Sequence, residues 1–244
     1  MARARLDQLL VARGHFSSRA RARDAVLRGC VTVEGKVATK HGQMVDEDAT
    51  IGIDDPAQRY VARSALKLVA ALDAFDITVE GLHALDVGQS TGGFTQVLLE
   101  RGADHVTGID VGTGQLDASL RNHTQVTFHE GVNARNTDAL PDGPFDLAVV
   151  DVSFISLSLV LPALIGRLAE NAPIIALFKP QFEVGKAHIG KGGLVSDDMA
   201  TDRALTRLLT ELEAFGWGLA ASIRSPLPGG DGNVERLLHL VPSP

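Results

Sequence analysis

Four ionisable side chains of this 244-residue chain stand where an apolar run ends or a turn begins. Lys179 closes Pro173-Ile-Ile-Ala-Leu-Phe, and Asp151 closes Leu147-Ala-Val-Val. Glu235 opens the last apolar run in Gly232-Asn-Val-Glu, and Lys67 lies in the helix-like Arg63-Ser-Ala-Leu-Lys-Leu. An ammonium held half out of water beside a second cation loses part of its preference for the charged form, and can then take a proton from a hydroxyl. Asp151 and Glu235 would hold the lysines in place and keep such a site from becoming too cationic. Two structural salt bridges are the plainer reading of the same residues. Against that reading, Lys179 and Asp151 both end strand-like runs, where folds of alternating strands and helices place their substrates.

The elements that must carry these groups can be read from the spacing of apolar residues. A strand over residues 82–87 leads into a glycine turn and a helix over 94–101. A strand over 105–110 leads into a helix over 115–120, and one over 145–151 into a helix over 157–168. The run at 173–178 is followed by a helix over 199–215 and by strands at 217–225 and 235–241. This rhythm predicts an α/β fold with a doubly wound, Rossmann-like sheet. The glycine turn, Asp86-Val-Gly-Gln-Ser-Thr-Gly-Gly, is neither a P-loop nor the spaced dinucleotide fingerprint. It still lets backbone approach a ligand closely. The next strand ends at Asp110, whose carboxylate can accept both hydroxyls of a ribose, so an adenosine-containing cofactor is expected. Hydride transfer from a nicotinamide would leave the two lysines unexplained. Methyl transfer from S-adenosylmethionine to a ribose hydroxyl uses them, because the oxygen must be brought in line with the methyl and lose its proton. Lys179 would take that proton. No metal is required, and no His or Cys cluster has ligand spacing.

Composition bounds the setting. A hydrophobic content of 45% supplies a core for one large and one small domain, and the single cysteine, Cys30, excludes an internal disulfide. The first residues lack the apolar stretch of a secretory signal, so a cytoplasmic protein is expected. The most apolar window, 147–166, has about the length of a membrane span, but Asp151, several serines and Pro162 interrupt it. It reads as strand, turn and helix. Charge is unevenly spread: residues 1–40 hold nine basic against three acidic residues, a net of +6, whereas residues 64–244 hold 12 against 22, a net of −10. A basic module on an acidic body suggests that the small part holds a polyanion.

Within the small part, Arg-Leu-Asp-x-Leu-Leu, Ser-Arg-x-x-Ala and Gly-x-Val-x-Val-x-Gly follow in order over residues 3–54. This series resembles the small α+β, αL-type RNA-binding domain found in a ribosomal protein and in pseudouridine synthases. By that likeness Arg3, Arg5, Arg19, Arg21, Arg23 and Lys36 would contact RNA phosphates, which positions RNA without reading its sequence. A solvated charged helix is the alternative reading of the arginines. The expected organisation is an RNA-binding domain at 1–54, a linker at 55–63 containing Pro56, and a catalytic domain at 64–244.

The Lys67, Asp151, Lys179, Glu235 set is similar to that of the FtsJ-like ribose 2′-O-methyltransferases. With the RNA-binding domain in front, the whole chain resembles the TlyA family of rRNA methyltransferases, which has also carried the name haemolysin. The matching stretches are Arg63-Ser-Ala-Leu-Lys-Leu, Gly88-Gln-Ser-Thr-Gly-Gly-Phe-Thr, Ile109-Asp-Val-Gly, Asp151-Val-Ser-Phe-Ile-Ser-Leu, Lys179-Pro-Gln-Phe-Glu, Lys191-Gly-Gly and Gly232-Asn-Val-Glu. The resemblance implies 2′-O-methylation of a cytidine in the ribosomal RNA of bacterial subunits. S-adenosylmethionine would be held by Gly88, Ser90, Thr91, Gly92, Gly93 and Asp110, with Asn133 near the adenine. Two departures stand out. Ser64-Ala65 occupies a place where members often have Gly-Gly, and Gln89 one where they often have Ala, so the longer Gln89 side chain is expected to crowd the methionine end of the cofactor. Phe154 would stack on a base or simply pack, and the glycine-rich loop 181–196, with Lys186, His188 and Lys191, reads as a mobile segment that closes over RNA or as a plain surface loop. Two other functions compete: a cofactor-free RNA-binding assembly factor, and a membrane-active haemolysin, which would need a span or an exposed amphipathic helix.

Overall fold

Leu6, Leu9 and Leu10 share one side of a helix, as do Ala22, Ala25 and Val26 in the next, and the two stripes close on each other with Phe16 and Val31 into one core. The computed structural model describes residues 2–243, which fall into two units that divide between Arg59 and Tyr60. In the first, β1 (Arg3–Arg5) runs into α1 (Leu6–Ala12), followed by α2 (Arg19–Leu27), β2 (Val31–Val33), β3 (Lys36–Val37), β4 (Met44–Asp46) and β5 (Ile51–Ile53). Ser18 caps α2 by accepting from the Arg21 N–H at 3.3 Å. β1 pairs with β4, and β2 lies between β3 and β5, all antiparallel. Asp55 accepts two hydrogen bonds from Arg28 at 2.7–2.8 Å, which draws residues 55–59 onto this unit.

The second unit contains α3 (Ala65–Phe75), β6 (His83–Val87), α4 (Gly93–Glu100), β7 (His105–Asp110), α5 (Ala118–Arg121), β8 (Val126–Glu130) and β9 (Leu147–Val150). It continues with α6 (Leu161–Ile165), β10 (Ile174–Phe178), α7 (Pro180–Glu183), α8 (Asp198–Glu213), β11 (Trp217–Arg224) and β12 (Arg236–Pro242). The strands form one sheet in the order β11-β12-β10-β9-β6-β7-β8, in which only β12 runs opposite to the rest, antiparallel to both of its neighbours. Alternate residues of the central strands enter opposite layers. Leu147, Val149, Ile175 and Leu177 face one core with Leu68 and Phe94. Ala148, Val150, Ala176 and Phe178 face the other, with Leu161 and Leu208. Strands covered on both faces therefore read as unbroken apolar runs. This is the expected doubly wound α/β sheet.

Two helices differ from the sequence reading. The region expected to be helical at 157–168 is a 3-10 turn, Leu157–Leu159, and then the short α6. Pro162 lies in the first turn of α6, the one place where a missing N–H costs nothing, and cannot continue a helix begun earlier. α5 begins only at Ala118 because Asp117 caps it, accepting from the Ser119 N–H at 2.9 Å. The apolar window at 147–166 is thus strand, turn and helix, and among the described residues no helix is long and apolar enough to cross a membrane.

Strand order makes the site. From β6 the chain steps outward to β7 and β8, then returns to the other side of β6 with β9 and β10. The turns leaving β6 and β9 diverge, and open α/β sheets bind ligands in the crevice that this reversal leaves.

Candidate active site

The glycine turn leaves β6 inside that crevice. Gly88 has φ +86°, and a Cβ there would lie 2.4 Å from the Asp151 carbonyl oxygen, so only glycine lets the turns after β6 and β9 approach so closely. Ser90 also adopts a positive φ, 48°, and its N–H donates to Asp110 Oδ2 at 2.7 Å. The other oxygen of Asp110 accepts from the Gly112 N–H at 2.7 Å. Each of these oxygens keeps a lone pair directed elsewhere. Gly88, Ser90, Asp110, Val132 and Asn133 line a cavity of about 810 Å³, together with residues 151–156 and Phe182. Asn133 points its amide oxygen at the Arg135 N–H, 3.1 Å away. Thr91 and Gly93 line a smaller adjoining pocket with Asp151, Ser153 and Lys179. Gly92, also expected at the cofactor, is the N-cap of α4 at φ +93°, and a Cβ there would meet the Leu116 and Leu120 side chains.

The four charged residues form two ion pairs. Lys179 Nζ lies 2.7 Å from Asp151 Oδ1 and donates to Ser153 Oγ at 2.9 Å. Lys67 Nζ donates to Glu235 Oε2, and both of those side chains are buried. The pairs are neighbours through the sheet. β10 and β12 place Phe178 opposite Arg236, so the next residues outward are Lys179 on one strand and Glu235 on the other. Lys179 thus stands at the end of its strand with its amine facing the wall of the crevice that also holds the glycine turn.

Buried acids support this wall. Asp86 is fully buried, and burial pushes its carboxyl up to about 7; hydrogen bonds from Thr95 pull against that, and the charges of Asp151 and Asp110 add to it. Glu183 is also raised by burial and accepts from Ser156 Oγ at 2.6 Å and the Leu157 N–H at 2.8 Å, tying α7 to the loop after β9. The sequence reading assigned no role to Glu183 or Ser153. Glu183 carries a signal, an acid four residues beyond Lys179, but Ser153 carries none that separates it from other serines.

Three expectations change in the structure. Gln89 does not project into the cavity where the methionine end would lie; its carboxamide is buried and donates to Thr95 Oγ1 at 2.9 Å. The loop 181–196 is not loose. It includes α7 and two 3-10 turns, and the buried Asn233 clamps it by donating to the Gly193 carbonyl at 2.8 Å and accepting from the Val195 N–H at 2.9 Å. Phe154 is 91% exposed at φ 64°, with its ring 5.2 Å from that of Phe182, so it does more than fill space in a core.

In the first unit, Arg5 and Arg19 converge on the buried Asp7, at 3.1 and 3.0 Å. The Arg5 hydrogen bond is the main cause that holds the Asp7 carboxyl well below the usual range. Arg3 donates to the Met44 carbonyl at 2.7 Å, and Arg21 to that of Ala57 at 3.4 Å. Arg23 and Lys36 are exposed.

The FtsJ-like methyltransferase family matches residues 60–241, and the S4 domain family matches residues 4–51. The chain is 47% identical over 240 residues to the 16S/23S rRNA (cytidine-2′-O)-methyltransferase TlyA of Mycobacterium tuberculosis, covering 98% of this chain and 90% of that protein. It is 40% identical over 190 residues to the 23S rRNA (cytidine-2′-O)-methyltransferase TlyA of Campylobacter jejuni, covering 78% and 74% respectively. A solved structure from Streptococcus thermophilus that carries the hemolysin name superposes with a TM-score of 0.76 at 37% identity, over 100% of this chain and 90% of that one.

Proposed function

The chain belongs to the FtsJ-like methyltransferase family and bears an S4 domain ahead of it, and from that premise we propose that it methylates the ribose 2′-hydroxyl of a cytidine in ribosomal RNA, using S-adenosylmethionine. The observation that carries this reading is the meeting of an amine and a cofactor-type turn in one crevice. Lys179 Nζ is held by Asp151, and the Asp151 carbonyl lies against Gly88.

The residues present fit the cofactor. Asp110 has oxygen lone pairs left for the ribose hydroxyls, Asn133 lies in the wall expected to face adenine, and Gly88 lines the same cavity where the turns after β6 and β9 meet. When bound, S-adenosylmethionine supplies an activated methyl on a positively charged sulfur. The chain's own residues do the rest. Lys179 accepts the 2′-hydroxyl proton at Nζ, while Asp151 and Ser153 aim that nitrogen. Lys67 and Glu235, paired beneath, hold the end of β12 and place a charge-balanced floor next to Lys179. The exposed Phe154 offers a face on which the target base can stack. Glu183 keeps the loop that carries Phe154 in position.

The S4 domain would hold the RNA backbone through Arg3, Arg5, Arg19, Arg21, Arg23 and Lys36, with Arg5 and Arg19 oriented by Asp7. The substrate is then rRNA within ribosomal subunits, and the protein works in the cytoplasm. Mass-spectrometric mapping of ribose methyls on subunits treated with the wild type and with Lys179→Ala tests this. The wild type adds a methyl to a cytidine ribose, and Lys179→Ala loses roughly 10²–10⁴-fold in rate while still binding S-adenosylmethionine. Methylation of a base atom, or full activity in Lys179→Ala, contradicts the reading.

A further inference from the structure

Gly108 lies in the middle of β7 without a positive φ, so its backbone conformation does not ask for glycine. Its neighbour does. A Cβ on Gly108 would stand 2.0 Å from both Cδ and Nε2 of Gln89 and 2.3 Å from its Oε1. The Gln89 side chain has turned down from the cofactor turn into the space that this missing side chain leaves. There Nε2 donates to Thr95 Oγ1 at 2.9 Å, and Thr95 Oγ1 donates in turn to Asp86 Oδ2 at 2.7 Å. Gln89, Thr95 and Asp86 are all buried, so each bond is made away from water, where leaving one unmade is expensive.

This chain of bonds ties the cofactor turn to the first residues of α4 and to the end of β6, while the carboxamide packs against β7 at Gly108. The Gln89 backbone is fixed as well, its N–H donating to the Ile109 carbonyl at 3.1 Å and its carbonyl accepting from the Gly92 N–H at 2.8 Å. The next residue is Ser90, held in the left-handed region and donating its N–H to Asp110. Residues with a side chain keep such a conformation only where surrounding structure enforces it. We propose that Gln89 is a positioning residue for cofactor binding: its carboxamide, seated over Gly108 and bonded through Thr95 to Asp86, holds Ser90 in the turn that orients the Asp110 carboxylate. The proposal rests on reading the cavity as the S-adenosylmethionine site.

Two measurements on the full-length protein test it. The first is amide hydrogen exchange at Ser90 without cofactor, compared with an amide in the middle of β6 such as that of Leu85. The second is calorimetric titration with S-adenosylmethionine. In Gln89→Ala, exchange at Ser90 rises at least tenfold while Leu85 is unchanged, and cofactor affinity falls about tenfold, about 1.4 kcal/mol. Gly108→Ala weakens cofactor binding in the wild-type background, because the new methyl expels the carboxamide. In the Gln89→Ala background the same change is nearly neutral. Unchanged Ser90 exchange in Gln89→Ala overturns the proposal, as does tighter cofactor binding by that variant or an equal cost of Gly108→Ala in both backgrounds. A Gln89→Ala protein that only melts earlier, with Ser90 exchange moving in step with Leu85, also overturns it. Should Gly108→Ala fail to fold, the exchange comparison of wild type and Gln89→Ala still decides. Loss of Ser90 protection in Gln89→Ala together with no S-adenosylmethionine binding by the wild type would leave the turn assignment intact and remove the cofactor reading.

Discussion

Asp86 sits beneath the cofactor turn with no exposure to solvent, and its carboxyl is raised to about 7. In the unfolded chain the same group titrates near 3.8. A group bound more tightly to its proton in the fold stabilises the fold fully below the unfolded pKa, and this contribution fades as pH rises through the folded one. The three-unit gap corresponds to a contribution on the order of 4 kcal/mol, lost between about pH 4 and pH 7. Thermal unfolding of the cofactor-free protein should therefore show a lower Tm at pH 8 than at pH 5.5. Asp86→Asn, which keeps the shape and an oxygen for Thr95, should flatten that difference. Parallel pH curves for the two proteins would rule this out. The same residue scale explains why Arg5 and Arg19 are not free surface cations: Asp7, buried among them, sets where their guanidinium groups point.

Among the elements, the segment between α7 and α8 behaves unlike its composition. Glycines at 185, 190, 192 and 193 suggest a loose loop, yet one buried side chain on the approach to β12, Asn233, fills two of its backbone hydrogen-bond positions. Asn233→Ala leaves the Gly193 carbonyl and the Val195 N–H unpaired, at a cost of about 1–3 kcal/mol each where water cannot replace the bond. Limited proteolysis should then cut within residues 186–196, RNA methylation should fall, and S-adenosylmethionine affinity should hold, because Asp110 and the glycine turn lie on other elements. Resistance to proteolysis equal to the wild type would show that the clamp is redundant. The central strands of this unit are legible because short unbroken apolar runs bounded by turn residues fit strands covered on both faces. α5 and α6 were misjudged in length because their starts are decided by a cap and by a proline, not by apolar spacing.

For the whole molecule, the proposed function places polyanion binding in the first unit and chemistry in the second, in keeping with a net charge of +6 in residues 1–40 against −10 in residues 64–244. The second unit keeps its own cores, with Tyr60 already part of one. A protein lacking residues 1–59 should bind S-adenosylmethionine with wild-type affinity and fail to methylate ribosomal subunits, as calorimetry and methyl mapping can check. Methylation undiminished in the truncated protein would refute this division of labour. Binding of the full-length protein to RNA should also weaken steeply as salt is raised, because phosphate contacts release counterions.

The alternating α/β architecture, the basic module ahead of an acidic body, and the charged residues at strand ends are all legible along the chain. Those features are carried by near neighbours in the chain: apolar spacing, a glycine turn, a local surplus of charge. Which charges meet depends on the folded arrangement. Lys67 finds Glu235 from 168 residues away, and Lys179 shares Asp151 with the glycine turn, because strand order and register bring those ends together. It also turned Gln89 inward over Gly108 and drew Arg5 and Arg19 onto Asp7. A side chain's direction follows from the space and partners that distant segments leave it, and no local pattern records either.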